Sequence, residues 1–253
     1  MVVAKITNTI IIEGRNMVHD ALVSGQSIGS VIIASNSKGD QRIVDIETLA
    51  RKKGVTVEIV RPEQLNKYSE SGNPQGVVAM MGIPETPSLE QILKQKRDAF
   101  VILLNHIDYE MNLGAILRSA WAAGADAVVA SPNGVHELTP VVAKVSMGAA
   151  AYVPLIGMSL FQAIDMLNKY AVPVVGVEVE MGKVYTEAKM TGPIALVMGG
   201  EAIGLSEPLQ KVCDSFVNIP MKSGVASLNV SVASGLVLFE KVRQERELKN
   251  TDI

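Results

Sequence analysis

Three segments, beginning at residues 105, 199 and 220, each follow a short apolar run and contain the side chains that could do chemistry. Such apolar runs form buried parallel strands, and loops at the ends of these strands are where α/β folds bind ligands. Glycine lets a backbone approach a ligand closely, while amide, carboxylate, hydroxyl and guanidinium groups can orient it. The pattern therefore predicts one binding site assembled from three loops.

The first loop leads into a helix that we predict over residues 112–123. Asn112 stands where a helix N-cap belongs, and capping alone would explain it. Arg118 lies six residues further on, about 600° of helix rotation, so it does not share a face with Asn112. A lone arginine in an apolar helix is either solvent-facing or a cation placed for an anion, because burial without a partner is costly. The pattern alone leaves both interpretations open.

The second and third loops carry weak individual signals. Glu201, which follows Gly199 and Gly200, could be an ordinary solvated carboxylate, and the loop has neither a dinucleotide fingerprint nor a P-loop. Ser227 could merely cap the last helix, which we predict from residue 228 to about residue 248, and Asn229 could lie in its first turn. Only the joint occurrence of these residues indicates a site.

Composition limits the classes of protein that the chain can belong to. Its 253 residues, 48% of them hydrophobic, suffice for one large or two modest domains. The net charge of −3, with its acidic excess after residue 98, means that RNA binding must rest on local patches. The one cysteine, Cys213, excludes an internal disulfide, and we interpret it as a buried structural thiol in a helix. Three histidines and one cysteine show no metal-ligand spacing, so we expect no metal.

The sequence shows no sign of a membrane location. No apolar run approaches the roughly 20 residues of a membrane span, and the first residues lack the pattern of a signal peptide. We therefore expect a cytoplasmic protein in a reducing compartment.

Short strands and helices alternate along the chain, which predicts an α/β fold with two domains. Residues 1–82 form a small domain, with strands at 30–34, 55–60 and 76–81 and a helix at 41–53. Residues 83–98 contain prolines and charges, and we interpret them as a linker rather than a surface loop with one amphipathic helix. Residues 99–253 form the larger domain, with a mainly parallel sheet. There we predict strands at 99–104, 127–130, 152–156, 172–179, 194–198 and 216–219, and further helices at 139–147 and 160–169.

Taken in order, the segments MNLGAILRSA, LVMGGEAIGLS and VNIPMKSGVASLNVSVA resemble the three signature motifs of the SpoU/TrmH family of RNA ribose 2′-O-methyltransferases. KVSMGAAAYVPL is similar to the Ser-x-Gly-Ala segment between the first two motifs. GRNMVHDAL and PQGVVAM resemble the ends of the ribosomal-protein-like RNA-binding domain of members that act on large-subunit ribosomal RNA. The chain departs from the family pattern twice: no Asp-Pro pair precedes Asn112, and Ala202 replaces glycine after Glu201.

The resemblance implies an α/β methyltransferase domain with a C-terminal trefoil knot, acting as a homodimer. It implies transfer of a methyl group from S-adenosylmethionine to a ribose 2′-hydroxyl, without a metal, because the leaving group departs neutral. The residues that it places against the cofactor are Gly199, Gly200, Ile219, Met221 and Leu228.

The resemblance also implies a catalytic set. Arg118 would fix the target phosphate and stabilise the developing alkoxide, while Asn112, Glu201, Ser227 and Asn229 would orient Arg118 and the ribose. Which group takes the proton stays open. The target pocket would form across a dimer interface supplied by the last helix, although burial within one chain is an equal alternative for each of its apolar residues. Those residues are Val230, Val232, Ala233, Leu236, Val237 and Phe239.

Several functions fit these observations. Large-subunit ribosomal RNA is the leading substrate, with transfer RNA and antibiotic-resistance methylation of ribosomal RNA as alternatives. A non-catalytic RNA-binding or ribosome-assembly factor would be expected to lose the polar site residues, which are all present. A nucleotide-dependent oxidoreductase is disfavoured because the glycine fingerprint is missing.

Overall fold

The computed structural model describes residues 9–69, 72–82, 86–200 and 204–251, and the chain divides into two compact units, Met1–Glu85 and Thr86–Ile253. The first unit contains a four-stranded sheet in the order β1-β4-β2-β3, in which β2 and β3 are parallel and β4 is antiparallel to both of its neighbours. Its elements are β1 (Thr9–Glu13), α1 (Arg15–Val23), β2 (Ile28–Ala34), α2 (Gln41–Lys52), β3 (Thr56–Val60), α3 (Pro62–Leu65) and β4 (Val77–Gly82), with one 3-10 turn at Ser35–Ser37.

Helix α2 shows how the sequence specifies this unit. Asp40 caps it, because its side chain accepts hydrogen bonds from the N–H groups of Arg42 and Ile43 at 3.0 and 3.3 Å. Ile43, Ile46 and Ala50 recur at helical spacing and are fully buried. The predicted helix and strands of this unit are present, whereas β1 was not predicted.

The second unit is built on a seven-stranded sheet in the order β7-β6-β5-β10-β8-β11-β9, and every pairing in it is parallel. The prediction of an α/β fold with a mainly parallel sheet is therefore confirmed. The strands are β5 (Phe100–Leu104), β6 (Ala127–Ala130), β7 (Leu155–Gly157), β8 (Val174–Val177), β9 (Lys183–Val184), β10 (Ile194–Met198) and β11 (Ser215–Asn218). The helices are α4 (Leu89–Gln95), α5 (Glu110–Ala123), α6 (Pro140–Val145), α7 (Leu160–Lys169), α8 (Glu207–Gln210) and α9 (Val230–Thr251), with a 3-10 turn at Ala149–Ala151. The implied knot stays a prediction.

Helices cover both faces of this sheet, which explains why its central strands are apolar throughout. Every residue of β5 and β10 is buried. Alternate residues of β5 belong to different cores: Ile102 packs with α5 and α9, while Leu103 packs with α4 and α7. The period of two along a strand produces this division.

Several elements differ from their predicted bounds. Segment 83–98, interpreted as a linker, contains α4, which Ser88 caps by accepting a hydrogen bond from Gln91 N at 3.3 Å. Its residues Leu89, Ile92 and Leu93 are buried in the core of the second unit. Strand β7 begins later than predicted, because Tyr152 instead stacks on Trp121 with ring centroids 4.2 Å apart.

Cys213 lies just beyond α8 rather than in a helix. Its thiol donates to the carbonyl oxygen of Leu209 at 3.3 Å, and burial raises its pKa to about 11. The group is therefore protonated at neutral pH, as expected of a structural cysteine.

The described residues lack two kinds of feature. No helix in them combines the length and the apolarity that crossing a membrane requires. No three or more His, Cys, Asp or Glu side chains in the same residues are grouped so that they could hold a metal ion.

An ion pair between the buried Lys241 and the partly exposed Glu245 fastens α9 to the sheet edge opposite to the carboxyl ends of the strands. The Lys241 ammonium donates to Glu245 Oε1 at 2.8 Å and to the carbonyl oxygen of Gly192 at 3.0 Å, and it lies 5.1 Å from the ring centre of Phe100. Glu245 also accepts from the Gly192 N–H at 2.8 Å. The hydrogen bond from Lys241 lowers the pKa of Glu245.

We expect Glu245→Ala to lower the free energy of unfolding by about 2 kcal/mol, because breaking a buried pair costs roughly 3–5 kcal/mol and Glu245 is partly solvated. The lowered pKa means that the native state favours the carboxylate. This stabilisation is therefore present above about pH 4, the unfolded value, and is lost as pH falls through the folded value. Urea unfolding at pH 7 and pH 3 would measure both effects. Glu247→Ala, which removes an exposed partner of Arg243, should change stability much less; equal losses would contradict the assignment.

Candidate functional site

A cavity of about 310 Å³ opens at the carboxyl ends of β8, β10 and β11, beside the start of α9. This is the edge at which parallel sheets bind ligands. Two of these strands end in apolar residues that line it, Val177 and Met198. The cavity is also lined by all five residues that the sequence analysis places against a cofactor, Gly199, Gly200, Ile219, Met221 and Leu228.

The chemistry of the walls limits what the cavity can hold. Ile219, Met221 and Leu228 give it apolar sides, and Glu178 contributes one carboxylate. Its volume lies in the range of roughly 300–1,000 Å³ that is typical of small-molecule sites. Apolar walls suit a flat heteroaromatic ring, and a carboxylate suits a hydroxyl or a positive charge. The cavity therefore fits a nucleoside that carries a cationic group.

The glycines at the end of β10 allow Gly204 and His106 to pack directly against the backbone. A Cβ at Gly199 would lie 2.7 Å from the Cα of Gly204, and one at Gly200 would lie 2.9 Å from the carbonyl oxygen of His106. The N–H groups of Gly200 and Gly204 each donate to the other's carbonyl oxygen, at 3.2 and 3.0 Å. Close approach of backbone to backbone is thus a reason for glycine here that sequence reasoning did not give.

Glu178 is a site residue that sequence reasoning missed. It directly follows β8, and its carboxylate accepts hydrogen bonds from Leu205 N at 2.7 Å and Val179 N at 3.1 Å. A Cβ at Gly204, whose φ is +66°, would lie 2.7 Å from this carboxylate. Glu178 therefore anchors the end of the loop after β10. Residues 172–179 were predicted as one strand. The Glu178 carboxylate directly follows the apolar run, and this was the signal that could have revealed a site residue there.

Two asparagines join the beginnings of α5 and α9. Asn229 Nδ2 donates to Asn112 Oδ1 at 3.1 Å. The Asn229 side-chain oxygen accepts from the N–H and the hydroxyl of Ser231 at 2.9 and 2.6 Å, so Asn229 caps α9. The pair therefore connects the first and third predicted loops beside the cavity, which is lined by Ser227, two residues earlier.

Two capping interpretations from the sequence were wrong. Helix α5 begins at Glu110 with Tyr109 as its N-cap, so Asn112 lies in the first turn. The helix extends further because Glu110 places a carboxylate near its positive end, where it is favourable. Asn229 is the N-cap of α9 rather than a residue of its first turn. Ser227 therefore does not cap this helix.

Arg118 stands apart from the other predicted site residues. Its side chain is exposed on α5, on the same face as the exposed Met111 and Trp121. Within residues 9–69, 72–82, 86–200 and 204–251, no hydrogen bond or ion pair joins the guanidinium to another group. One chain thus brings together Asn112 and Asn229, and places Ser227 at the cavity, but leaves Arg118 facing solvent.

Glu201, the remaining predicted catalytic residue, lies outside the described residues. The roles of all the site residues in cofactor binding and catalysis stay predictions.

Known protein families match both units of the chain. The model of the SpoU rRNA methylase family matches residues 99–239, and the model of the RNA 2′-O ribose methyltransferase substrate-binding domain matches residues 11–87. The 23S rRNA (guanosine-2′-O-)-methyltransferase RlmB of Coxiella burnetii is 37% identical over 84% of this chain and 87% of its own length. The protein of that name in Haemophilus influenzae is 35% identical over 84% and 89%.

A solved structure shares the fold of most of the chain. The AdoMet-bound rRNA methyltransferase of Sinorhizobium meliloti superposes with a TM-score of 0.78, covering 94% of this chain and 88% of its own, at 24% identity.

Proposed function

Because the chain belongs to the SpoU rRNA methylase family, we propose that it transfers the methyl group of S-adenosylmethionine to a ribose 2′-hydroxyl of large-subunit ribosomal RNA, in the cytoplasm. The observation that carries this proposal is the convergence of the five predicted cofactor residues on one cavity. The two bacterial relatives are named for methylating a guanosine of 23S rRNA, which makes such a ribose the leading target.

The cavity suits the proposed cofactor. S-adenosylmethionine, when bound, supplies a methyl group on a sulfonium that leaves as a neutral thioether, so the transfer requires no metal. Ile219, Met221 and Leu228 would pack against adenine, and backbone groups of Gly199 and Gly200 would read its polar edge. The Glu178 carboxylate adds a negative charge that attracts a sulfonium.

The polar residues outside the cavity would position the RNA. Asn112 and Asn229 offer amide groups that can hold the ribose in line with the methyl group. Arg118 carries five N–H donors in a fork that fits a phosphate, and its positive charge would stabilise a developing alkoxide. Glu201 and Ser227 would complete this set.

Leu228 provides a direct test of the cofactor pocket. It is 36% exposed and lines the cavity, so Leu228→Ala should weaken S-adenosylmethionine binding about tenfold through lost apolar contact without unfolding the protein. Calorimetry would measure the dissociation constant. Val225 is similarly exposed but lines only the neighbouring groove, so Val225→Ala should bind normally. Equal affinities for both variants would place the cofactor elsewhere.

The first unit would hold the RNA substrate. Its match to the substrate-binding family supports this assignment. We propose residues 1–82 as the RNA-binding domain and residues 99–253 as the methyltransferase domain, with 83–98 connecting them and contributing α4 to the second.

We also propose a homodimer formed through α9. Val232, Leu236 and Phe239 are 53%, 40% and 47% exposed and share one face of the helix. Gly235 lies on the same face, and a Cβ there would meet nothing within 4 Å. A glycine inside a helix costs about 1 kcal/mol relative to alanine. Close approach of a second copy would explain why that cost is tolerated.

The test is methyl transfer from radiolabelled S-adenosylmethionine to ribosomal and transfer RNA in parallel, followed by mapping of riboses that resist alkaline cleavage. Label at one ribose of large-subunit RNA is expected. Label in transfer RNA alone would show that transfer RNA, rather than ribosomal RNA, is the substrate. Label at a ribose in an antibiotic-binding site would indicate a resistance enzyme. Binding of the cofactor with no label in either free RNA or partly assembled ribosomes would contradict the enzyme assignment. That result would favour a non-catalytic RNA-binding factor.

A further inference from the structure

Methyl transfer to a hydroxyl releases a proton, and the assigned site residues that the structure describes do not include a suitable acceptor. The Arg118 guanidinium carries donors only and stays protonated. Asn112 and Asn229 have neutral amides. Both carboxylate oxygens of Glu178 already accept backbone hydrogen bonds. Imidazole is the side chain that ordinarily changes its charge between about pH 5 and 8, which suits a general base.

Of the three histidines in the chain, one touches the cavity wall. His19 lies in the first unit. His136 uses Nδ1 in a contact with the carbonyl oxygen of Gly134 at 2.7 Å, and its ring lies against Gly157. His106 instead lies directly against Gly200, which lines the cavity. A Cβ placed on Gly200 would lie 2.9 Å from the His106 carbonyl oxygen and 3.4 Å from the His106 Cβ.

The His106 ring lies beside a carboxylate. Its Nε2 is 3.1 Å from Asp108 Oδ1, and no hydrogen bond among the described residues engages Nδ1. The His106 side chain is 54% exposed, which leaves it open to an RNA ribose. Its backbone φ of 54° is one that L-residues seldom adopt.

The segments packed against this loop contribute backbone rather than competing charges among the described residues. The β10 side presents Gly200, and the loop after β6 presents Val135, whose N–H donates to the Ile107 carbonyl oxygen at 2.7 Å. Asp108 is the charged group that contacts the ring. Glu201 follows Gly200 and lies outside the described residues.

We propose that His106, with Asp108 beside its ring, is the general base that takes the proton from the target 2′-hydroxyl, an inference that rests on the proposed function. The proton moves to His106 Nδ1 as the ribose oxygen forms its bond to the methyl carbon and the carbon–sulfur bond breaks. The imidazolium is held by the Asp108 carboxylate and returns its proton to water after the methylated RNA leaves. Arg118 then acts only on the phosphate and the alkoxide.

Two substitutions test this role without straining the loop, because asparagine and glycine both tolerate a positive φ. His106→Asn and His106→Gly should lower the single-turnover rate of methyl transfer about 100-fold. Calorimetric affinity for S-adenosylmethionine should change less than about twofold. The wild-type rate should rise with pH as the general base loses its proton, and both variants should lose this rise. Free imidazole should restore part of the rate of His106→Gly.

The matched control is His136→Asn, which removes a histidine from the neighbouring loop and should keep the wild-type rate and pH profile. Active wild-type enzyme with unchanged rates in both His106 variants would overturn this inference alone. A slow His106→Gly variant that imidazole does not rescue, with the pH rise retained, would also overturn it. Wild-type protein that transfers no methyl group to any RNA would overturn the proposed function as well.

Discussion

Replacing Arg118 with alanine is expected to lower the rate of methyl transfer about 10³-fold while leaving S-adenosylmethionine affinity nearly unchanged. The guanidinium is exposed and joins no other group of the described residues, so its removal should cost the fold little. Donors that act on developing charge are worth about 10²–10³ in rate, and loss of the phosphate contact would add to this effect. Single-turnover kinetics and calorimetry on the same samples would separate the two quantities.

Two further variants sharpen the Arg118 test. Arg118→Lys keeps the charge but not the planar fork, so its rate should lie between those of the wild type and Arg118→Ala. Arg97→Ala removes an exposed cation of the same kind outside the site and should leave the rate unchanged. A parallel loss of cofactor binding and methylation in Arg118→Ala would instead assign a structural role to the residue.

The sequence was informative about elements whose signal is local. Strands β5 and β10 are unbroken apolar runs, and both are central strands buried on two faces. Helices such as α2 combine a cap with apolar residues at helical spacing, and they were predicted nearly to the residue. The family resemblance named five residues that line one cavity in the structure, and their role in holding a cofactor stays a prediction.

What the sequence could not supply depends on contacts between distant segments. No local pattern indicates that β10 pairs between β5 and β8, yet this order brings Glu178 to the loop after β10. The same order presses Gly200 against His106, 94 positions away in the numbering. The start of α9 was predicted wrongly because two residues there, Ser227 and Asn229, could each have been the N-cap. The choice between them depends on the tertiary contact of Asn229 with Asn112.

Phe239→Glu is expected to convert the proposed homodimer into monomers and to lower methyl transfer by at least about 10³-fold. The apolar residues of α9 fall into two sets: Val230 and Val237 are buried in the core of the chain, while Val232, Leu236 and Phe239 are exposed. A charge in the second set would have to be buried at an interface without a partner. Sedimentation would give the mass. Leu248 is 50% exposed and lies about half a turn from Phe239, so Leu248→Glu should remain dimeric and active.

Mixing two inactive variants would show whether each site uses both subunits. Arg118 lies six residues after Asn112 on α5, on a different face of the helix, so the site is expected to take Arg118 from one subunit and Asn229 from the other. When Arg118→Ala and Asn229→Ala dimers exchange subunits, half of the dimers are mixed, and each mixed dimer then has one intact site out of two. The mixture should recover about a quarter of wild-type activity. If each site were built within one subunit, every site would carry one defect and no activity would return.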